Sequence, residues 1–137
     1  MKSFKLKYYH LFVPSVYLLI SYLCLTSKPF PSSMDFSFLF FANIDKVVHA
    51  GLYFMLTKAT LFLLHKIGKY NDRKIKIIWA VIIPISFGLF VEIAQHFWIA
   101  GRSGDIDDFL ANTVGVFAAY FSFKVLSSRL SSKSHDQ

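Results

Sequence analysis

Four apolar runs of membrane-crossing length fill most of the 137-residue chain and leave it few folds to adopt. They cover about residues 8–26, 45–65, 76–98 and 106–126. A helix rising ~1.5 Å per residue crosses a hydrocarbon core of ~30 Å in about 20 residues, which each run supplies. Lipid offers the backbone no hydrogen-bond partners, so such segments span as helices. Turn-forming stretches separate them: Lys28-Pro29-Phe30-Pro31-Ser32-Ser33, Gly68-Lys69-Tyr70-Asn71-Asp72 and Gly101-Arg102-Ser103-Gly104. Hydrophobic residues make up 55% of the chain, more than a soluble domain this short can hide, and too many for disorder. The expected fold is an all-α membrane protein, one domain over residues 1–137, with four transmembrane helices in an antiparallel bundle. The first run follows Lys2, Lys5 and Lys7 as a signal peptide would, but it is too long and lacks a small-residue cleavage pattern. It reads as an uncleaved span.

The basic residues set the expected orientation. Eleven lie on one side: Lys2, Lys5, Lys7, Lys66, Lys69, Arg73, Lys74, Lys76, Lys124, Arg129 and Lys133. Only Lys28, Lys46 and Arg102 lie on the other, and Lys58 falls inside the second run. This asymmetry places both termini in the cytoplasm, for a multi-pass protein of the inner (cytoplasmic) membrane. The net charge of +7 therefore reads as topology and attraction to anionic inner-leaflet lipid, not as a nucleic-acid signal. On the opposite side Asp35, Asp45, Glu92, Asp105, Asp107 and Asp108 outnumber the cations, so the outer face is acidic. The single cysteine, Cys24, forms no internal disulfide and is expected to pack as a small hydrophobe.

Ionisable residues inside spans are costly and usually face protein. Here they gather. Asp45 and His49 open the second span, Glu92, Gln95 and His96 close the third, and Asp108 and Asn112 open the fourth. In an antiparallel bundle these positions fall at one membrane face, the extracytoplasmic one by the charge count. Asp45 and His49 are four apart and share a helix face, as do Asp108 and Asn112. The Asp108 face continues through Gly115 and Ala119, small residues that let helices approach closely in lipid.

In order and spacing these residues resemble the VanZ-like membrane proteins. Asp45-Lys46-x-x-His49-x-x-x-Tyr53 is similar to that family's opening motif. Glu92-x-x-Gln95, then Arg102-x-x-Asp105-x-x-Asp108-x-x-x-Asn112-x-x-Gly115, resembles its second and third. Ser27-Lys28-Pro29 after the first span is a further likeness. The resemblance covers about residues 8–125 and implies a small four-helix protein of the bacterial envelope. The founding member of that family is associated with low-level teicoplanin resistance. Ala119 departs from the pattern where the family often has a second glycine, and His96 adds an imidazole beside the usual Gln.

The candidate acid/base groups are Glu92, His49 and Asp108, and the candidate substrate-binding groups are Asp45, Gln95, Arg102 and Asn112. Glu92 suits a general base, His49 a proton shuttle or a metal ligand, and Arg102 a grip on phosphate or carboxylate. Each has a structural alternative. Glu92 can bridge helices in its protonated form, His49 can bond Asp45 or Glu92, and Asp108 can cap the fourth helix. His49, Glu92, His96 and Asp108 carry ligands that would admit zinc or a harder divalent ion. Helix spacing is not legible in sequence, so no metal residue is assigned and the cofactor is unknown. Tyr53, Phe97 and Trp98 read as interface anchors, Pro84 as a kink, and Lys58 as a snorkelling cation. The first functional expectation is an envelope protein whose partners are the bilayer and a lipid-linked or lipid-tailed amphiphile, bound or modified at the outer leaflet, affecting glycopeptide susceptibility. The alternative is a non-catalytic assembly subunit whose polar cluster is a helix-packing clasp. Transport ranks behind both, because few polar groups continue across the bilayer.

Overall fold

Capping chemistry places the helix ends close to where the turn-forming residues predict them. In the computed structural model, which describes residues 2–26, 44–99 and 104–133 and the side chains of 11–26, 44–99 and 104–125, the chain folds as α1 (Lys2–Leu25), α2 (Ile44–Lys66), α3 (Arg73–Trp98) and α4 (Ile106–Lys133). No strand occurs among the described residues. α2 stops at Gly68, whose φ of 74° suits a residue without a Cβ. The Gly68 N–H donates to the His65 carbonyl at 3.2 Å and the Lys69 N–H to Leu64 at 2.8 Å, a Schellman closure. α3 then begins under Asp72, whose side chain accepts from the Ile75 N–H at 3.1 Å.

α3 carries a wide turn just ahead of Pro84. Residues Ile78–Ile82 wind as π-helix, and the Ile83 N–H donates to Ile78, five residues back. Pro84 follows at once and has no N–H to offer, so the disturbance expected of it is taken up by this π segment.

The buried core draws on every helix, with Ile20 and Cys24 from α1, Tyr53 and Leu56 from α2, Val91 from α3 and Val116 from α4. Contacts between α2 and α4 advance together along both helices, pairing Lys46 with Asp108, His49 with Asn112 and Lys58 with Phe123. Their backbones nearly touch, since a Cβ on Gly115 would collide with the Ala50 carbonyl oxygen. The outward faces are apolar: Leu18, Met55, Trp79, Phe90 and Phe121 are each more than half exposed. α2 and α3 are long and apolar enough to cross a membrane, and α1 carries the shorter apolar stretch Leu11–Leu25. A groove of about 470 Å³, lined by Val13, Tyr17, Leu18, Thr60, Trp79 and Ile83, lies well away from the polar cluster.

Candidate functional site

The start of α4 organises the rim of the cluster. Asp105 caps the helix: its Oδ1 accepts from the Asp107 N–H at 2.9 Å, and its carbonyl accepts from Asp108 and Phe109. That N–H and the Lys46 ammonium hold the Asp105 carboxyl below the usual carboxylate range. With the cap filled by Asp105, the Asp108 side chain turns toward the neighbouring helix. Lys46 of α2 reaches across and binds Asp105 and Asp108 at 3.3 Å each, with Asp107 at 3.8 Å. One cation thus meets three carboxylates at a partly exposed edge.

Beneath this rim the polar groups are buried. His49 Nδ1 lies 3.1 Å from Asn112 Oδ1, and its Nε2 faces Asp108 Oδ2 at 3.8 Å. An amide oxygen only accepts, so Nδ1 carries the proton and Nε2 presents a lone pair when the imidazole is neutral. Glu92, 6% exposed, comes in from α3. Its Oε2 accepts from the Asp105 N–H at 3.2 Å, while its Oε1 is buried with no hydrogen-bond partner. The Asn112 Nδ2 and the Tyr53 hydroxyl are likewise buried and unpartnered. Buried polar atoms are nearly always satisfied, so these three unpartnered atoms set the cluster apart from an ordinary helix contact.

Of the residues singled out in the sequence, His49, Glu92, Asp108 and Asn112 come together. Gln95 does not face them: its Nε2 donates to the Cys24 carbonyl at 2.8 Å and ties α3 to the end of α1. Asp45 is exposed and joins none of these contacts, because the buried face of α2 runs through His49, Tyr53, Leu56 and Thr60 and lies nearer Lys46. Arg102 lies outside the described residues. His96 is exposed and stacks edge-on against Phe97 at 4.8 Å, away from the other candidate ligands.

Two residues of the opening motif were given no part in the site by the sequence reading. Lys46 was counted with the topology charges, although its place ahead of three downstream aspartates in the motif order was a usable signal. Tyr53, expected at the interface, is wholly buried one turn below His49. The four-residue step from His49 is the signal that would have placed it there. Phe97 and Trp98 are 72% and 70% exposed, as lipid-facing anchors would be.

A protein-family model described as VanZ/LLP1 matches residues 9–127. No curated protein and no solved structure matches the chain.

Proposed function

The chain belongs to the VanZ/LLP1 family, and from that premise we propose that its polar cluster binds or modifies an amphiphile at the outer leaflet. In this reading the four helices cross the inner membrane as an antiparallel bundle with both termini in the cytoplasm, and the cluster opens to the extracytoplasmic side. The ligand is lipid-linked or lipid-tailed, and the consequence for the cell is altered glycopeptide susceptibility. One observation carries the proposal: a polar track runs from the partly exposed Asp105–Lys46–Asp107 rim to buried Glu92, His49 and Asn112. Exposed Val47, Phe97, Trp98 and Ile106 flank it. A polar head lowered into that track would leave its lipid tail against apolar side chains. Glu92, His49 and Asp108 are then the acid/base candidates, with Lys46 and Asn112 contacting the head group.

The clasp reading has its own support in Gln95 bonding the Cys24 carbonyl and His49 bonding Asn112, each across a helix interface. One experiment separates the two. A strain lacking the protein is complemented with wild type, Glu92→Gln, His49→Ala or Asp108→Asn, and membrane accumulation, teicoplanin susceptibility and envelope-lipid composition are measured. The amphiphile reading expects variants that accumulate normally and fail to complement. Variants that accumulate and complement fully would overturn it. Loss of accumulation on Glu92→Gln and Asp108→Asn together favours the clasp.

A further inference from the structure

His49, Glu92 and Asp108 come from three helices, yet each offers one ligand atom, and these atoms all lie within 4.8 Å of one another. The sequence places them at one face of the bundle, and the fold brings their ligand atoms within reach of one ion. We propose that they form a binding site for a divalent transition cation of the zinc class, an assignment that goes beyond the amphiphile reading and does not depend on it.

Four features support the assignment. Glu92 is 6% exposed and its Oε1 is buried without a hydrogen-bond partner, and a bound cation would satisfy such an oxygen. His49 donates its Nδ1 proton to Asn112 Oδ1, which turns the Nε2 lone pair toward Asp108. That is the usual arrangement behind a metal-bound imidazole: the outer N–H is fixed by an oxygen, and the inner nitrogen binds. The His49 Nε2 to Asp108 Oδ2 separation of 3.8 Å is shorter than two zinc bonds of ~2.0–2.2 Å laid end to end, so one ion reaches both without helix movement. An imidazole with two carboxylates also favours zinc or a similar first-row ion over magnesium or calcium, which take oxygen donors.

Three protein ligands leave such an ion further positions for water or for an oxygen of a bound molecule, as at open zinc sites. Lys46 and Asn112 form the second layer. Lys46 bonds Asp108 Oδ1 and leaves Oδ2 facing the histidine. His96 is excluded: it is exposed and takes no part in the set.

The test uses the full chain, purified in detergent on a tag without histidine, stripped with chelator and titrated with zinc alone. Wild type should bind one zinc per chain, with a rise in melting temperature. His49→Ala, Glu92→Gln and Asp108→Asn should each weaken binding by about tenfold or more, since each removes a direct ligand. His96→Ala and Asp107→Asn should leave the affinity unchanged. Melting in chelator shows which variants are folded, and the wild-type titration decides the matter even if all three ligand variants unfold. The proposal is wrong if wild type shows no saturable zinc binding, if folded ligand variants bind as wild type does, or if His96→Ala abolishes binding. Because no amphiphile is present, a failure here leaves the complementation result standing on its own.

Discussion

At the scale of single residues, the cluster contains atoms that serve packing and atoms that do not. Gln95 belongs to the first kind. Its bond to the Cys24 carbonyl is buried and joins α1 to α3. Gln95→Leu keeps the volume and removes the donor, so it should destabilise by roughly 0.5–2 kcal/mol, the span found for interhelical hydrogen bonds in membranes. Thermal melting in detergent reads this directly. Tyr53 belongs to the second kind, since its hydroxyl is buried with no partner in the structure. Tyr53→Phe removes a group that was desolvated without compensation, so stability should hold or rise by about 1 kcal/mol. A Tyr53→Phe protein that melts well below wild type would show that the hydroxyl is satisfied after all. The sequence made the residue types of the site legible but not all of their directions. His49, Glu92, Asp108 and Asn112 were recoverable because helical spacing and membrane cost both pointed inward. Asp45 misled, because a four-residue step from His49 sets an angle but not which flank of the helix is buried. Gln95 misled because its partner is a backbone carbonyl at the end of α1, and no side-chain motif reports that.

At the scale of elements, the four helices were legible because turn chemistry marks their ends. The Gly68–Asp72 stretch reads as a break in the sequence, and the structure puts a φ of 74° at Gly68 and a helix cap at Asp72. The π segment at Ile78–Ile82 was not legible. Proline announces that a hydrogen bond is missing, but the surrounding packing decides whether the helix bends or widens. The closest packing, between α2 and α4, rests on one glycine. A Cβ at Gly115 would overlap the Ala50 carbonyl oxygen and carbon, all backbone atoms that cannot swing aside. Gly115→Ala should therefore force the helices apart, at about 1–3 kcal/mol, in the range seen for overpacked cores. Gly51 is the control on the partner helix, because a Cβ there meets nothing within 4 Å. Gly51→Ala should be neutral or stabilise by up to roughly 1 kcal/mol, through helix propensity alone. Equal melting temperatures for the two variants would rule out close α2–α4 contact. Separation of these helices would also pull His49 from Asp108, so Gly115→Ala should lose zinc affinity without touching a ligand.

At the scale of the whole molecule, charge and shape make one argument about orientation. Apolar side chains face outward on every helix, and the described acidic residues of the cluster collect at one end of the fold. The basic residues collect at the other: Lys66, Lys69, Arg73, Lys74 and Lys76 all lie at or near the α2–α3 turn. The expectation from charge is that the basic turn is held in the cytoplasm and the Lys46–Asp105–Asp108 end faces outward. Lys58, part-way along α2, does not weaken this. Its ammonium sits over the Phe54 and Phe123 rings at 5.3 and 5.5 Å, so its charge is shielded within the fold. The prediction is one of accessibility. In a chain with Cys24→Ala, a cysteine placed at Asp107 should react with a membrane-impermeant thiol reagent added to intact cells. Asp107 is suited to this, being 60% exposed at the side chain and outside the proposed ligand set. A cysteine placed at Asn71 in the basic turn should react only once the membrane is opened. The reverse pattern would put the cluster in the cytoplasm, where an outer-leaflet amphiphile could not reach it, while the zinc assignment would be unaffected. Labelling of both sites from outside would mean that α2 and α3 do not carry the chain across the bilayer. Labelling at Asp107 alone fixes the cluster on the outer side, so that any head group it binds must arrive from the periplasmic or external face.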